Sequence, residues 1–542
     1  PLFIVTRYRE QLHAGHTVRE STAIAIDTAG RAVVFAGTTV VISLMGMLIM
    51  GVGFVTGLAV GAASVVAVTI VASVTLLPAL LGFAGERVEL TRWRGLIAAG
   101  FAALALVGAG LNFTPLLLAF PVAAVVLIAG FFAGPLKREV PRRRQKPLRE
   151  TVPYRWSRLV QRHPWASVLA GFLLLITMAL PVFGLRLGFS DEGNFPEDTT
   201  TRKAYDLLAE GFGPGFNGPF LMVAELPDGF DAEALAPIQA AVQDDDGVVF
   251  VTPAMPNDEE DPAAATAVQW AIIPTSSPQA EETPDTVNRL RAETLPAAER
   301  AAGVDVALTG SVPVQVDFSE YLASRLPYFF GAVLTLSFLL LMVVFRSLLV
   351  PLKAVVMNLV SMGAAYGLVV ALFQWGWFSG ITGIQTGPIE PFVPMMLFAI
   401  VFGLSMDYEV FLLSRVREEW QRTGDSRTSV ADGLASTAKV ITAAAAIMVF
   451  VFGSFVLEGD RIIKLFGVGL ASSIFLDATV VRMLLVPATM ELLGDKNWWL
   501  PGWLDRLLPN IDVEGPSGEE LSMDEPPSPE APPQDRTPEL IG

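Results

Sequence analysis

The sequence predicts a polytopic α-helical membrane protein that carries one α+β domain outside the bilayer, and three observations predict it. Hydrophobic residues make up 52% of the 542 residues, too large a share for a soluble chain of that length. Several runs exceed the ~18 apolar residues that mark a spanning helix. One membrane unit also occurs twice, in the same direction, on either side of a long polar segment.

The repeat emerges when the chain is laid on itself. Leu2–Glu10 (LFIVTRYRE) aligns with Val410–Glu418 (VFLLSRVRE) at an offset of 408. The same offset brings Thr28–Arg31 onto Ser436–Lys439, and Leu76–Gly82 meets Leu485–Gly494 with one residue of slip. Parallel copies related by an axis along the membrane normal are a transporter feature, with the working site between the halves. Pro1 aligns with Glu409, so the first copy is expected to be truncated, beginning just after the counterparts of Asp407 and Tyr408. The chain is then expected to be the C-terminal portion of a longer protein.

Taken in order, residues 1–90 read as the end of the first membrane repeat, with spans at Ala32–Met50 and about Phe54–Phe83 joined by the tight Gly51–Gly53 turn. Residues 91–136 read as an extra transmembrane hairpin, split at Asn112–Pro115, whose halves are near the minimum spanning length. Residues 137–163 form a linker in which ten Lys and Arg side chains crowd together, cytoplasmic by the positive-inside rule. Residues 164–186 span again. The acidic segment 187–325 is the only one long enough for a folded soluble domain. After an entry helix at Thr199–Glu210, its β-α-β-β-α-β order predicts a ferredoxin-like unit. Strands are expected at Gly218–Leu226, Val248–Met255, Thr266–Pro274 and Val304–Thr309, with helices at Asp231–Val242 and Thr283–Ala302. Residues 326–494 read as the second membrane repeat of five spans, 495–510 as a Trp-rich interfacial helix, and 511–542 as a disordered acidic tail on the cytoplasmic side.

Within the second repeat, Pro391–Ser414 begins as a membrane-grade apolar run and then buries Asp407 beside Tyr408. At 1.5 Å per residue, Asp407 lies about 12 Å inside Arg415. A carboxylate at such depth costs roughly 2.5–3.5 kcal/mol on insertion scales, so it is expected to face helices or water, and its stem is too short to reach the interface. Acids held away from water exchange protons nearer neutral pH than free ones do. Asp477 is a second intramembrane acid with Arg482 beside it, expected to form a structural or tuning ion pair. Gly403 and Ser405 keep the Asp407 helix thin enough for close packing.

Other chemistries find no support. The chain has no cysteine, and His13, His16 and His163 show no metal-ligand spacing. Asp244–Asp246 and Asp258–Asp261 read as solvated loops. No nucleophile set, phosphate loop or carboxylate pair points to an enzyme, and a basic run beside spanning helices indicates a membrane anchor, not nucleic acid.

Gly403–Trp420 (GLSMDYEVFLLSRVREEW) resembles the signature of the MMPL permeases of the resistance–nodulation–division superfamily. The likeness extends upstream through TGPIEPFVPMMLFAIVFG and downstream through Leu476–Trp503, and Tyr205–Pro219 (YDLLAEGFGPGFNGP) fits the actinobacterial members. It covers nearly the whole chain except the 95–134 hairpin and the acidic tail. The resemblance implies a proton-driven exporter of lipids or other hydrophobic molecules, multi-pass in the plasma membrane, with twelve spanning helices and two porter-type domains. It further implies a proton relay of two facing Asp-Tyr pairs, of which Asp407 and Tyr408 match one, Tyr408 donating a hydrogen bond to the opposite repeat. Protons would be the coupling ion, with no cofactor, and membrane lipids and a lipid or hydrophobic small molecule the partners; a homo-oligomer is compatible. The competing expectation is a non-transporting receptor or assembly scaffold of the sterol-sensing type, which would not need the buried acid.

Overall fold

The structure, a computed structural model, describes residues 2–508 except 90–91, 111–112, 131, 133–134, 136–137, 139, 141–146 and 227–230. The side chains of residues 89, 110, 148, 263, 381, 382 and 407 are also outside that description, as is the acidic tail.

The first copy consists of α1 (Leu2–His13), α2 (Val18–Met50) and α3 (Gly53–Val88). The residues ahead of the first expected span, Ala32–Met50, are divided between α1 and the start of α2. Thr17 explains the break: its hydroxyl accepts from Glu20 N while the Glu20 carboxylate accepts from Thr17 N, which fixes where the new helix starts. The hairpin that follows is short. Helix α4 (Trp93–Gly110) has 18 residues and α5 (Thr114–Ala129) is shorter, so both halves lie near the minimum spanning length. The amphipathic α6 (Val152–Arg162) leads into the span α7 (Pro164–Gly184).

The soluble domain enters through α8 (Thr200–Phe212) and builds β1 (Phe220–Glu225), α9 (Ala232–Gln243), β2 (Val248–Val251), β3 (Met255–Pro256), β4 (Ala267–Pro274), α10 (residues 282–302) and β5 (Val306–Thr309). The sheet order is β2-β4-β1-β5, every pairing antiparallel, with β3 on β4, which is the split βαβ arrangement. Alternation selects the buried face: Val268, Trp270 and Ile272 point inward with Phe220 and Met222, against Leu235, Ile238, Val287 and Leu290. The strand expected over Val248–Met255 breaks after Val251, because Pro253 has no N–H for the ladder.

Asp245 is not the solvated acid expected. It pairs with Arg289 at 2.5 Å and accepts from Gly247 N, so β2 is tied to α10. The Arg289 guanidinium holds the Asp245 carboxyl below its ordinary 3.8. A lowered folded pKa gives stability that is present above the unfolded pKa and is lost as pH falls through the folded one. In thermal scans of the full chain, Asp245→Asn should melt earlier than wild type at pH 7, and the gap should narrow by pH 3. An equal gap at both would reject the pair as the cause.

The second copy comprises α11 (Ser311–Phe345), α12 (Leu349–Gln374), α13 (Val393–Thr423), α14 (Ser426–Leu457) and α15 (Arg461–Trp498), followed by α16 (Gly502–Leu507). Among the described residues, eight helices are long and apolar enough to cross a membrane, and the chain is a multi-pass membrane protein. Two boundaries differ from expectation. Helix α11 starts at Ser311, so no loop separates the soluble domain from the bilayer. The helix expected at 495–510 splits instead, because α15 continues to Trp498 and Pro501 starts a new six-residue helix.

Geometry repeats along with sequence. Asp425 caps α14 through Arg427 N and Thr428 N, at the position 408 residues after Thr17. Arg7–Glu10 and Arg415–Glu418 form the same i,i+3 pair, and Gly85 and Gly494 both turn the chain at φ +53°. Where α12 meets α7, a Cβ on Gly367 would lie 1.9 Å from the Met178 carbonyl oxygen, so only glycine allows that approach.

Candidate functional site

Helix α13 is the centre of the bundle. It packs on α2 of the first copy and on α14 of its own, and most of its side chains are buried. The contact with α2 depends on Gly403: a Cβ there would meet Val40 Cα at 3.0 Å. One turn earlier, Ser43 Oγ of α2 donates to Ala399 O at 3.0 Å. The backbone of α13 is helical through Asp407, whose side chain lies outside the described residues. Tyr408 is half-buried at the seam between the copies, 6.2 Å from the ring of Phe3. Its hydroxyl reaches Met448 Sδ at 3.7 Å, and a cavity of about 540 Å³, lined by residues of both copies, opens beside it.

The other predicted residues meet beside Tyr408, where α15 packs on α13. Arg482 and Asp477 of α15 pair at 2.7 Å with both side chains buried. Local geometry makes this possible. Residues five apart diverge by about 140° on an α-helix, at 3.6 residues per turn. Asp477–Leu485 is a π-helix, whose i→i+5 bonding stacks them. The guanidinium also donates to Ser405 O, lies 3.3 Å from Ser405 Oγ and sits 5.0 Å above the Tyr408 ring. Arg482 Nη1 is buried with no acceptor among the described residues.

Three residues of this site went unnoticed in the sequence. Ser405 Oγ donates to Asn358 Oδ1 at 3.1 Å, and Asn358 Nδ2 approaches Glu409 Oε2 at 3.5 Å. Glu409 and Asn358 are both buried, and Arg482, Asp477 and Lys353 are the charged neighbours of Glu409. Lys353 itself points to Asn497 Oδ1 at 3.3 Å. The result is a polar line, Asp477–Arg482–Ser405–Asn358–Glu409, through the three helices α15, α13 and α12. The signal was present: Glu409 follows Tyr408 directly, and Lys353 and Asn358 are polar residues inside an apolar run.

A second buried pair joins the bundle to the soluble domain. Arg461 Nη1 meets Glu390 Oε1 at 2.8 Å, and the same guanidinium donates to the carbonyls of Gln385, Gly387 and Pro388. Ser190 Oγ donates to Glu390, and Asn194 Nδ2 to Thr386 O at 2.9 Å. Residues 385–390 are thus held on one side by α15 and on the other by the start of the domain. There, Asp191 accepts from Tyr205, Gln279 and Gly193 N. Burial raises the Asp191 carboxyl above the usual range, and burial beside that acid pushes the Tyr205 hydroxyl up as well.

The sequence model of the MMPL family matches residues 1–167 and 231–508. Membrane protein YdfJ of Bacillus subtilis is 36% identical over 518 residues, covering 95% of this chain and 63% of that protein. The mycolic acid-containing lipids exporter MmpL11 of Mycolicibacterium smegmatis is 33% identical over 525 residues, 95% of this chain and 49% of the exporter. The trehalose monomycolate exporter MmpL3 of Mycobacterium tuberculosis is 30% identical over 530 residues, 94% and 52%. The chain therefore spans about half to 63% of the length of these relatives. A solved structure of SecDF, in a form described as super-membrane-facing, aligns with a TM-score of 0.43 at 13% identity over 93% of this chain and 52% of its own.

Proposed function

Because the chain belongs to the MMPL family, we propose that it works as part of a proton-driven transporter that exports lipids or other hydrophobic molecules. The observation that carries the reading is the polar line through α12, α13 and α15, set inside apolar helices next to the seam between the repeats. Polar and charged groups at membrane depth are costly, and in transporters they mark ion pathways. The exporters among the relatives support a lipid cargo.

In this reading Asp407 takes up and releases the coupling proton, and Tyr408 extends toward the other copy. Arg482 is a positioning residue: through Ser405 O and the Tyr408 ring it fixes that turn of α13, while Asp477 balances its charge. One charge carried through 100 mV supplies about 2.3 kcal/mol, enough to bias two helix packings of similar energy. The direct test is Asp407→Asn in the full-length protein, reconstituted in vesicles with an imposed pH gradient. Transport should vanish while expression and melting temperature stay at wild-type values. Retained export would reject the relay.

A further inference from the structure

Helix α6 does not belong to the site above, and its two faces have different surroundings. One face is docked on the protein: Trp156 Nε1 donates to Met483 O at 2.7 Å, Gln161 Nε2 to Arg427 O at 2.9 Å, and Arg158 reaches Thr428 Oγ1 at 3.3 Å. The other face carries Val152, the ring of Trp156 and Leu159, 79%, 42% and 51% exposed. At 100° per residue these three fall within about 60° of one another, and Arg155 and Arg162, both exposed, lie together along one flank of that stripe.

Beyond His163 the chain enters a span with an apolar outer face. Pro164 starts the span α7 two residues after Arg162 ends α6, and Trp165, Leu169 and Leu173 are exposed on the outer face of α7. The apolar side chains of α6 therefore enter the same bilayer at its boundary, and the flanking guanidiniums stand at headgroup level, as in interfacial helices. Neither Arg155 nor Arg162 has a carboxylate partner among the described residues. Two cations beside an apolar stripe complement a phosphate ester above acyl chains. We propose that α6 is a binding site for anionic phospholipid in the leaflet on the basic side of the membrane, with Arg155 and Arg162 on the headgroup and Val152, Trp156 and Leu159 on the chains. The site requires only that the protein spans a bilayer, and so stands whether or not the chain transports anything.

The test is native mass spectrometry of the full chain in micelles doped with equal amounts of phosphatidylglycerol and phosphatidylcholine. Wild type should retain phosphatidylglycerol by about tenfold or more over phosphatidylcholine, since each basic side chain at a membrane surface contributes measurably to anionic binding. The double variant Arg155→Gln/Arg162→Gln should lose that preference and keep its melting temperature in phosphatidylcholine alone. Val152→Ser/Leu159→Ser should lower retention of both lipids. Equal retention of the two lipids by wild type, or undiminished phosphatidylglycerol on the arginine variant, overturns the proposal. A dimer that the Val152→Ser/Leu159→Ser variant abolishes would place a second copy on the stripe and overturn it as well.

Discussion

Replacing Arg482 by methionine should destabilise the protein more than any conservative change on the bundle surface, by about 3–5 kcal/mol, because it leaves Asp477 buried without its counter-charge. The double variant Arg482→Met/Asp477→Leu should recover most of that loss, since two well-packed apolar groups often replace a buried ion pair at little cost. Thermal melts of both variants in the same detergent give the comparison. Transport should behave differently. The guanidinium also holds Ser405 O and covers the Tyr408 ring, contacts that no methionine restores. The double variant should therefore be stable and inactive. Recovery of transport together with stability would reduce the pair to a clamp between helices.

Arg461→Met is the second large effect. Glu390 is 1% exposed, and the substitution strips its carboxylate of the guanidinium and leaves three loop carbonyls without their donor. A loss of about 3–5 kcal/mol is expected from the unpaired buried charge. It should be concentrated where the loop is held, so hydrogen exchange should rise over residues 385–390 and 186–190 ahead of the membrane core. Glu390→Gln, which keeps a neutral acceptor for Arg461, should cost less. Uniform exchange across the bundle would show that the pair supports the fold at large and not this junction.

How much of this was legible in the sequence depends on the distance over which each signal acts. The soluble domain could be read because alternation is local: Val268, Trp270 and Ile272 declare one face of a strand from eight consecutive residues. The membrane repeat was legible because it is written twice, down to the equivalent helix starts at Thr17 and Asp425. Pairings between distant residues were not. Arg461 and Glu390 sit at the ends of spans, where charges are ordinary, and only the fold brings them together. Glu409 was overlooked beside Asp407 and Tyr408, since its burial depends on Asn358 and Lys353 one helix away. The π-helix at Asp477–Leu485 has no mark in composition, although it decides which face Arg482 presents.

The unbroken course of α11 has a mechanical consequence. Its 35 residues, about 52 Å at 1.5 Å each, run from the sheet domain to the far side of the bundle. Such a rod would carry a tilt at one end to the other. A 5° tilt about its midpoint, near the proline at 327, would shift each end by about 2 Å, the size of displacement by which helix interfaces switch between discrete packings.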